Sequence, residues 1–446
     1  MTVQHSSWLS LSLLLLIATT GFADIGWREH RVDDSELAGF VLRGGDGSAV
    51  ADLDGDGLPD IVSVHEDSSH LRVAFGTEDP DHWLRVTLDQ GKAVEGIEDV
   101  VAEDIDRDGR PDLVIAAESG VLAIYFNPER SREADRWSRL VLPGSEDRGS
   151  WIRVATADFD DDGRPDVLAT NKVEHNVAAG KTGTWSVFSY DRDPRKAENW
   201  REQAIGRAVF PINAQPIDVD RDGDVDVVAS SWSEEAIYFL ENLDNGSEWS
   251  KHVLWSGNDP TTIGFMMAFG DLNRDGRVDL VAGTGPRWPD RDQISWFEQP
   301  DDPRDRWVPH RLGSIDPDKA TGLELADIDG DGRLDLMVGG YSWEPWDVDP
   351  PNPKPDAVSG RLAWFSPGDA VDEPWQRHDI SRRRRGMYDL FVPVDFNADG
   401  RVDFVTTRGN SGEYDGVIWL EYQSGEGVPA FVPARGTDSP EVPLPR

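Results

Sequence analysis

One nine-residue pattern, D-x-[DN]-x-D-G-x-x-D, occurs seven times in register along this 446-residue chain. Its four ligand-type positions are Asp52, Asp54, Asp56 and Asp60 in the first copy and Asp104, Asp106, Asp108 and Asp112 in the second. The third and fourth copies carry Asp158, Asp160, Asp162, Asp166 and Asp218, Asp220, Asp222, Asp226. The last three carry Asp271, Asn273, Asp275, Asp279; Asp327, Asp329, Asp331, Asp335; and Asp395, Asn397, Asp399, Asp403. Successive copies start 52 to 68 residues apart. A unit recurring at such a period is one supersecondary element that must bury its apolar face against its neighbours.

Three apolar segments repeat in phase with the loop. A β-branched run follows each copy, for example "DLVIA" from Asp112, then an aromatic segment such as "VLAIYF" from Val121. A third segment opens on tryptophan, as in "WSRLVL" from Trp137 and "WSKHVL" from Trp249. A fourth run, such as "IRVATAD", precedes each loop. Short alternating segments of this composition read as strands. Four antiparallel strands A to D per unit make a propeller blade. The seventh unit has no tryptophan strand after it, but "WREHRV" begins at Trp27. The fold predicted is therefore all-β: a seven-bladed β-propeller over residues 24–423, closed by the N-terminal strand Trp27–Val32. Closure removes the sheet edges that would otherwise template aggregation.

The acidic loops have the chemistry of a calcium site. Calcium takes six to eight hard oxygens. Side chains at positions 1, 3, 5 and 9 and the carbonyl of position 7 can converge on one point. Glycine at position 6 permits the sharp turn. Position 12, where an EF-hand carries glutamate, is Ser63, Ile115, Ala169, Ala229, Ala282, Val338 or Thr406. Of the 28 ligand positions, 26 are Asp and 2 Asn, so unneutralised loops would repel themselves. Up to seven Ca²⁺ are expected, each tying strands A and B.

These loops resemble the FG-GAP/VCBS-type repeats of the integrin α-chain N-terminal β-propeller and of many exported bacterial proteins. The Phe-Gly and Gly-Ala-Pro landmarks of the integrin type survive only as Phe75-Gly76 and Phe269-Gly270, so integrin-like partner binding is not implied. The wider group includes propellers linked to polysaccharide lyases and sugar dehydratases.

The formal charge is −41, which argues against nucleic acid or an anionic membrane as partner. The chain has no cysteine, excluding disulfides and thiolate chemistry. Residues 1–23 read as a signal peptide, with an apolar core too short to span a membrane and small residues Gly21 and Ala23 before the cut. An exported location is expected: periplasmic, extracellular or cell-surface. The Pro/Gly-rich tail 424–446 reads as disordered.

Propeller topology puts A–B and C–D loops on one face and B–C and D–A loops on the other. The acidic loops occupy the first face, so a ligand is expected on the second, where the repeat becomes irregular. Candidates there are Lys172, His175, Arg287 and Arg384 for an anionic group and Trp288, Trp343, Trp346 and Tyr388 for stacking on sugar rings. His30, His252, His310 and His378 share one repeat position and read as structural. No catalytic signature occurs. The reading is a calcium-binding module for carbohydrate or an extracellular protein, with a lyase or dehydratase on acidic sugars as the alternative.

Overall fold

The computed structural model describes residues 24–435, apart from 175–179, 258–260, 287–292, 317, 342–359, 384–385 and 410–411. Strand β1 (Asp24–Asp34) comes first, followed by a single helical turn at Ser35–Ala38. Blade 1 is β2 (Gly45–Ala51), β3 (Asp60–His65), β4 (His70–Phe75) and β5 (Leu84–Gln90). Blade 2 is β6 (Ile97–Glu103), β7 (Asp112–Ala117), β8 (Val121–Phe126) and β9 (Ser138–Val141). Blade 3 is β10 (Ser150–Ala157), β11 (Asp166–Val173), β12 (Thr182–Tyr190) and β13 (Trp200–Val209). Blade 4 is β14 (Pro211–Ile217), β15 (Asp226–Ser231), β16 (Ala236–Asn242) and β17 (Trp249–Ser256). Blade 5 is β18 (Thr261–Gly270), β19 (Asp279–Pro286), β20 (Gln293–Glu298) and β21 (Val308–Gly313). Blade 6 is β22 (Lys319–Ala326), β23 (Asp335–Tyr341), β24 (Gly360–Ser366) and β25 (Gln376–Arg383). Each blade pairs in chain order, as one antiparallel sheet.

Blade 7 is built from both ends of the chain. It runs β26 (Phe391–Val394), β27 (Asp403–Arg408), β28 (Gly416–Gly425), then β1. Trp27 sits opposite Tyr422 in the antiparallel β1–β28 ladder. A fifth strand, β29 (Phe431–Val432), pairs parallel to the other edge of β1. Residues 424–435 of the tail carry β29 along β1, and residues 436–446 lie outside the described residues. Arg435 adds ion pairs to Asp34 at 3.0 Å and to Glu36 at 3.1 Å.

The core lies between blades rather than within them. Strand B shows why its residues are apolar on both faces. Leu113 and Ile115 of β7 pack against Val62 and Val64 of blade 1, while Val114 and Ala116 pack against Val167 and Ala169 of blade 3. Alternate side chains thus enter two different interfaces. The tryptophan opening each D strand closes its own C–D loop by donating its indole N–H to a loop carbonyl. Trp83 donates to Pro80, Trp137 to Ser131, Trp200 to Pro194, Trp249 to Gly246, Trp307 to Pro303 and Trp375 to Val371, all at 2.8–3.0 Å. Trp27 has no C–D loop before it, and its indole N–H has no partner among the described residues. It packs instead on Phe404 and Tyr422.

The repeated histidines are structural, as expected. His30 stacks on Trp419 at 4.2 Å, His310 on Trp296 at 4.5 Å and His378 on Trp364 at 3.9 Å. His30, His252 and His310 also pair with the strand-C glutamates Glu421, Glu241 and Glu298.

Candidate functional site

The seven acidic loops connect strands A and B and share one face, and each is preorganised by its own aspartates. In the second copy Asp104 accepts hydrogen bonds from the backbone N–H groups of Asp108 and Gly109, both at 2.9 Å. Asp108 accepts from Arg110 N–H at 3.1 Å. The same bonds recur around Asp158, Asp271 and Asp395. Position 6 has a positive φ throughout, from 79° at Gly400 to 103° at Gly223. Position 4 is also left-handed in every copy, with Arg107 at 60° and Ala398 at 55°. The glycines Gly55 and Gly330 at that position therefore relieve backbone strain that the other five copies carry.

Position 9 has a role the sequence did not disclose. Asp60 is fully buried, and its two oxygens accept from Leu53 N–H and Gly76 N–H, both at 2.8 Å. Asp226 does the same with Val219 and Asn242. Each such carboxylate staples loop position 2 to the C-terminal end of strand C. Burial pushes these aspartates up: Asp60, Asp112, Asp226, Asp335 and Asp403 to about 7, Asp166 to about 8 and Asp279 to about 6.

Neighbouring blades reach back onto the loops. The carbonyl of loop position 2 receives Asn127 Nδ2 at Leu53, Asn242 Nδ2 at Phe159 and Gln299 Nε2 at Val219, each from the following blade. Arginines in the following C–D loop reach the carboxylates themselves. Arg132 pairs with Asp54 and Asp56, Arg195 with Asp106 and Asp108, and Arg304 with Asp220. Arg132 and Arg195 lie over the rings of Phe75 and Phe126, at 5.5 and 4.4 Å.

The donor set fits a hard divalent cation. Carboxylate oxygens of Asp52, Asp54 and Asp60 lie within 4.8 Å of one another, as do those of Asp104, Asp106 and Asp108; Asp158, Asp160 and Asp166; and Asp218, Asp220 and Asp226. Oδ1 of Asp106 and Oδ1 of Asp160 are buried without a hydrogen-bond partner among the described residues. Oxygen-only ligands with orphaned lone pairs suit calcium.

The opposite face differs from the surface expected of it. Lys172 is buried and paired with Glu118 and, at 3.8 Å, with Glu98, so it is no ligand-binding surface cation. Tyr388 is fully buried, because the close approach of Gly339 leaves room for it: a Cβ there would lie 2.5 Å from the tyrosine Cβ. It cannot stack on a sugar. Arg382, of the basic run, is buried opposite Arg361. His175, Arg287, Trp288, Trp343, Trp346 and Arg384 lie outside the described residues.

What this face does present is a channel cavity of about 310 Å³, lined by Asp46, Asp99, Arg153, Asn213, Gln215 and Met266 among others. The charged members sit at the start of strand A, five or six residues before a loop aspartate. That signal was readable as acids or arginine inside otherwise apolar segments, in "GIEDVVAED" and "SWIRVATAD". Arg153 is nearly buried, with its guanidinium 4.9 Å from the Phe265 ring, and the carboxylates of Asp99, Asp389, Glu98 and Asp46 raise its basicity against the cost of burial. Among the described residues no helix is long and apolar enough to cross a membrane.

Comparison with known proteins agrees with this architecture. The FG-GAP-like repeat family matches residues 52–115, 104–169, 218–282 and 271–338, each match running from one acidic loop through strand B of the next. Of the 380 matching chains of known structure, two are from crystals of BBS1N in complex with ARL6DN. The mercury-soaked one is 10% identical, covering 87% of this chain and 95% of that one, with a TM-score of 0.50. The lead-soaked one is 11% identical, covering 91% and 98%, with a TM-score of 0.50. No curated protein matches. The family matches together span more than half of the sequence, and the chain belongs to the FG-GAP-like repeat family.

Proposed function

We propose that this chain is an exported, calcium-stabilised β-propeller that acts as an interaction module for a protein partner. The observation that carries the calcium reading is the convergence of three carboxylates within 4.8 Å in successive A–B loops, with buried oxygens lacking partners. The partner reading is supported by the likeness in fold to propeller chains crystallised in complex with another protein. Export is supported by the leader-like residues 1–23.

Carbohydrate is the narrower alternative ligand, and a lyase or dehydratase acting on acidic sugars the alternative activity. The burial of Lys172 and Tyr388 removes two of the groups on which a sugar site was expected. The test is one screen of the mature chain against arrays of extracellular proteins and of acidic glycans, in calcium and in excess chelator, read also for absorbance of unsaturated sugar products. Protein binding that is lost in chelator supports the proposal. Glycan binding alone, or unsaturated product, overturns the interaction-module reading. A melt unchanged by chelator overturns the calcium reading, since each ion held at a hundredfold excess over its Kd would contribute about 2.7 kcal/mol.

A further inference from the structure

A second group of carboxylates lies across the disc from the acidic loops. Asp46 and Glu98 each stand six residues before the first loop aspartate of their blade, and Asp389 stands at the same place in blade 7. Blades 3 to 6 have Ile152, Ile212, Phe265 and Thr321 there. Glu66 stands six residues past the last loop aspartate of blade 1; the same place holds Glu118 in blade 2 and Lys172 in blade 3. Three consecutive blades, 7, 1 and 2, therefore aim acids at one arc of the channel mouth.

Oxygens of Asp46, Glu66 and Glu98 lie within 4.8 Å of one another. Asp46 and Glu98 are buried; Glu66 is partly so. Asp46 accepts only a long bond from Glu66 N–H, at 3.4 Å. The independent observation is Asp389. It is 3% exposed, its Oδ1 has no hydrogen-bond partner among the described residues, and it repels both Asp46 and Glu98 as a like-charged neighbour. The Glu118 carboxyl is a further like-charged neighbour of Glu66. The other charged groups facing the arc are Asp99, Arg153 and Lys172. His65 is buried and held neutral, its pKa pushed down to about 3 by burial and by Arg72. With Asp67, seven carboxyls face two cations, and burial with mutual repulsion raises the pKa of Asp46, Glu66, Glu98 and Asp389, so the cluster must take up either protons or a cation.

We propose that Asp46, Glu66 and Glu98 bind one hard divalent cation at the channel mouth, with Asp389 completing the oxygen set. The all-oxygen donors fit Ca²⁺ or Mn²⁺ rather than a thiophilic metal. The ion supplies two positive charges to this acidic arc in place of protons. It also borders the cavity beside Arg153, giving that end of the channel two positive centres among acids.

The test uses Mn²⁺ as the probe on the mature chain. Crystals soaked in Mn²⁺ should show an anomalous peak between Asp46, Glu66 and Glu98, scored separately from peaks at the A–B loops. In solution, Asp46→Asn with Glu98→Gln should lower saturating Mn²⁺ content by one ion per chain, measured by elemental analysis after dialysis. Asp389→Asn should weaken that same ion's binding severalfold. If the double variant fails to fold by circular dichroism, the soak of the parent chain decides. Peaks in the loops with none at the channel mouth overturn the proposal while leaving the calcium reading intact. A peak at the channel mouth alone does the reverse.

Discussion

The staple formed by position 9 makes a prediction that separates it from metal binding. In Asp226→Ala, Val219 N–H and Asn242 N–H lose their acceptors, which lie at 3.0 and 2.8 Å. Both residues are buried, so water cannot replace the carboxylate. An orphaned buried donor costs about 1–3 kcal/mol, so the pair costs ~4 kcal/mol. A chain with about 400 ordered residues has an unfolding entropy of ~0.84 kcal/mol/K, from ~2.1 cal/mol/K per residue. The melting temperature should fall by ~5 °C. The assay is calorimetry in excess chelator, where no ion contributes. The control is Asp222→Ala at position 5, whose carboxylate is exposed and accepts only the Asp224 N–H. In chelator the control should stay within about 0.5 kcal/mol of the parent. In calcium both variants should lose stability. If Asp226→Ala melts with the parent in chelator, position 9 acts only through metal and the staple argument fails.

Other outcomes follow from the same geometry. Trp27→Ala empties a site that is 1% exposed between Phe404 and Tyr422; it should cost about 3–5 kcal/mol in chemical denaturation, and a smaller loss means the seam is held elsewhere. Burial pushes Glu324 up to about 7, so its folded form favours the proton; its contribution is greatest below about 4.5 and is lost as pH rises through about 7. Glu324→Gln should therefore melt closer to the parent at pH 5 and above it at pH 8, by up to ~3 kcal/mol, and parallel pH profiles would refute the assignment. Arg195→Met withdraws the cation from Asp106 and Asp108 and should tighten Ca²⁺ uptake by the second loop about fivefold in titration calorimetry; weaker uptake would mean the arginine orders the loop rather than competes for it. N-terminal sequencing of the exported protein should begin at Asp24, and an intact Met1 would refute cleavage.

The blade count and the closing strand were legible because both depend on periodicity. The seven loops set the register, and the missing tryptophan strand after Tyr422 pointed to Trp27. The loop aspartates were legible as a set, but their division of labour was not. That Asp60 serves two backbone N–H groups while Asp54 faces an arginine depends on contacts 16 and 78 residues away. The burial of two of the eight channel-face candidates was not legible for a related reason. Lys172 and Tyr388 border irregular loops, which suggests surface groups, yet both are buried. Their burial follows from partners in other blades, Glu98 and Glu118 for the first and Gly339 for the second. Asp46, Glu98 and Asp389 share one repeat position but stand in segments of different composition, so their kinship shows only in the aligned repeats.

The fifth strand of blade 7 bears on how the ring resists exchange between molecules. A propeller closed by a terminal strand invites a second copy to lend its own strand in place of the first, a swap that leaves every blade filled. Here the lending strand is not free to leave. β1 is bonded to β28 on one side and to β29 on the other, and Trp27 N–H donates to Ala430 at 3.1 Å. Release requires two ladders to part together, and the second is made by the far end of the same chain. The latch thus raises the barrier to releasing β1, which slows any exchange of that strand between copies.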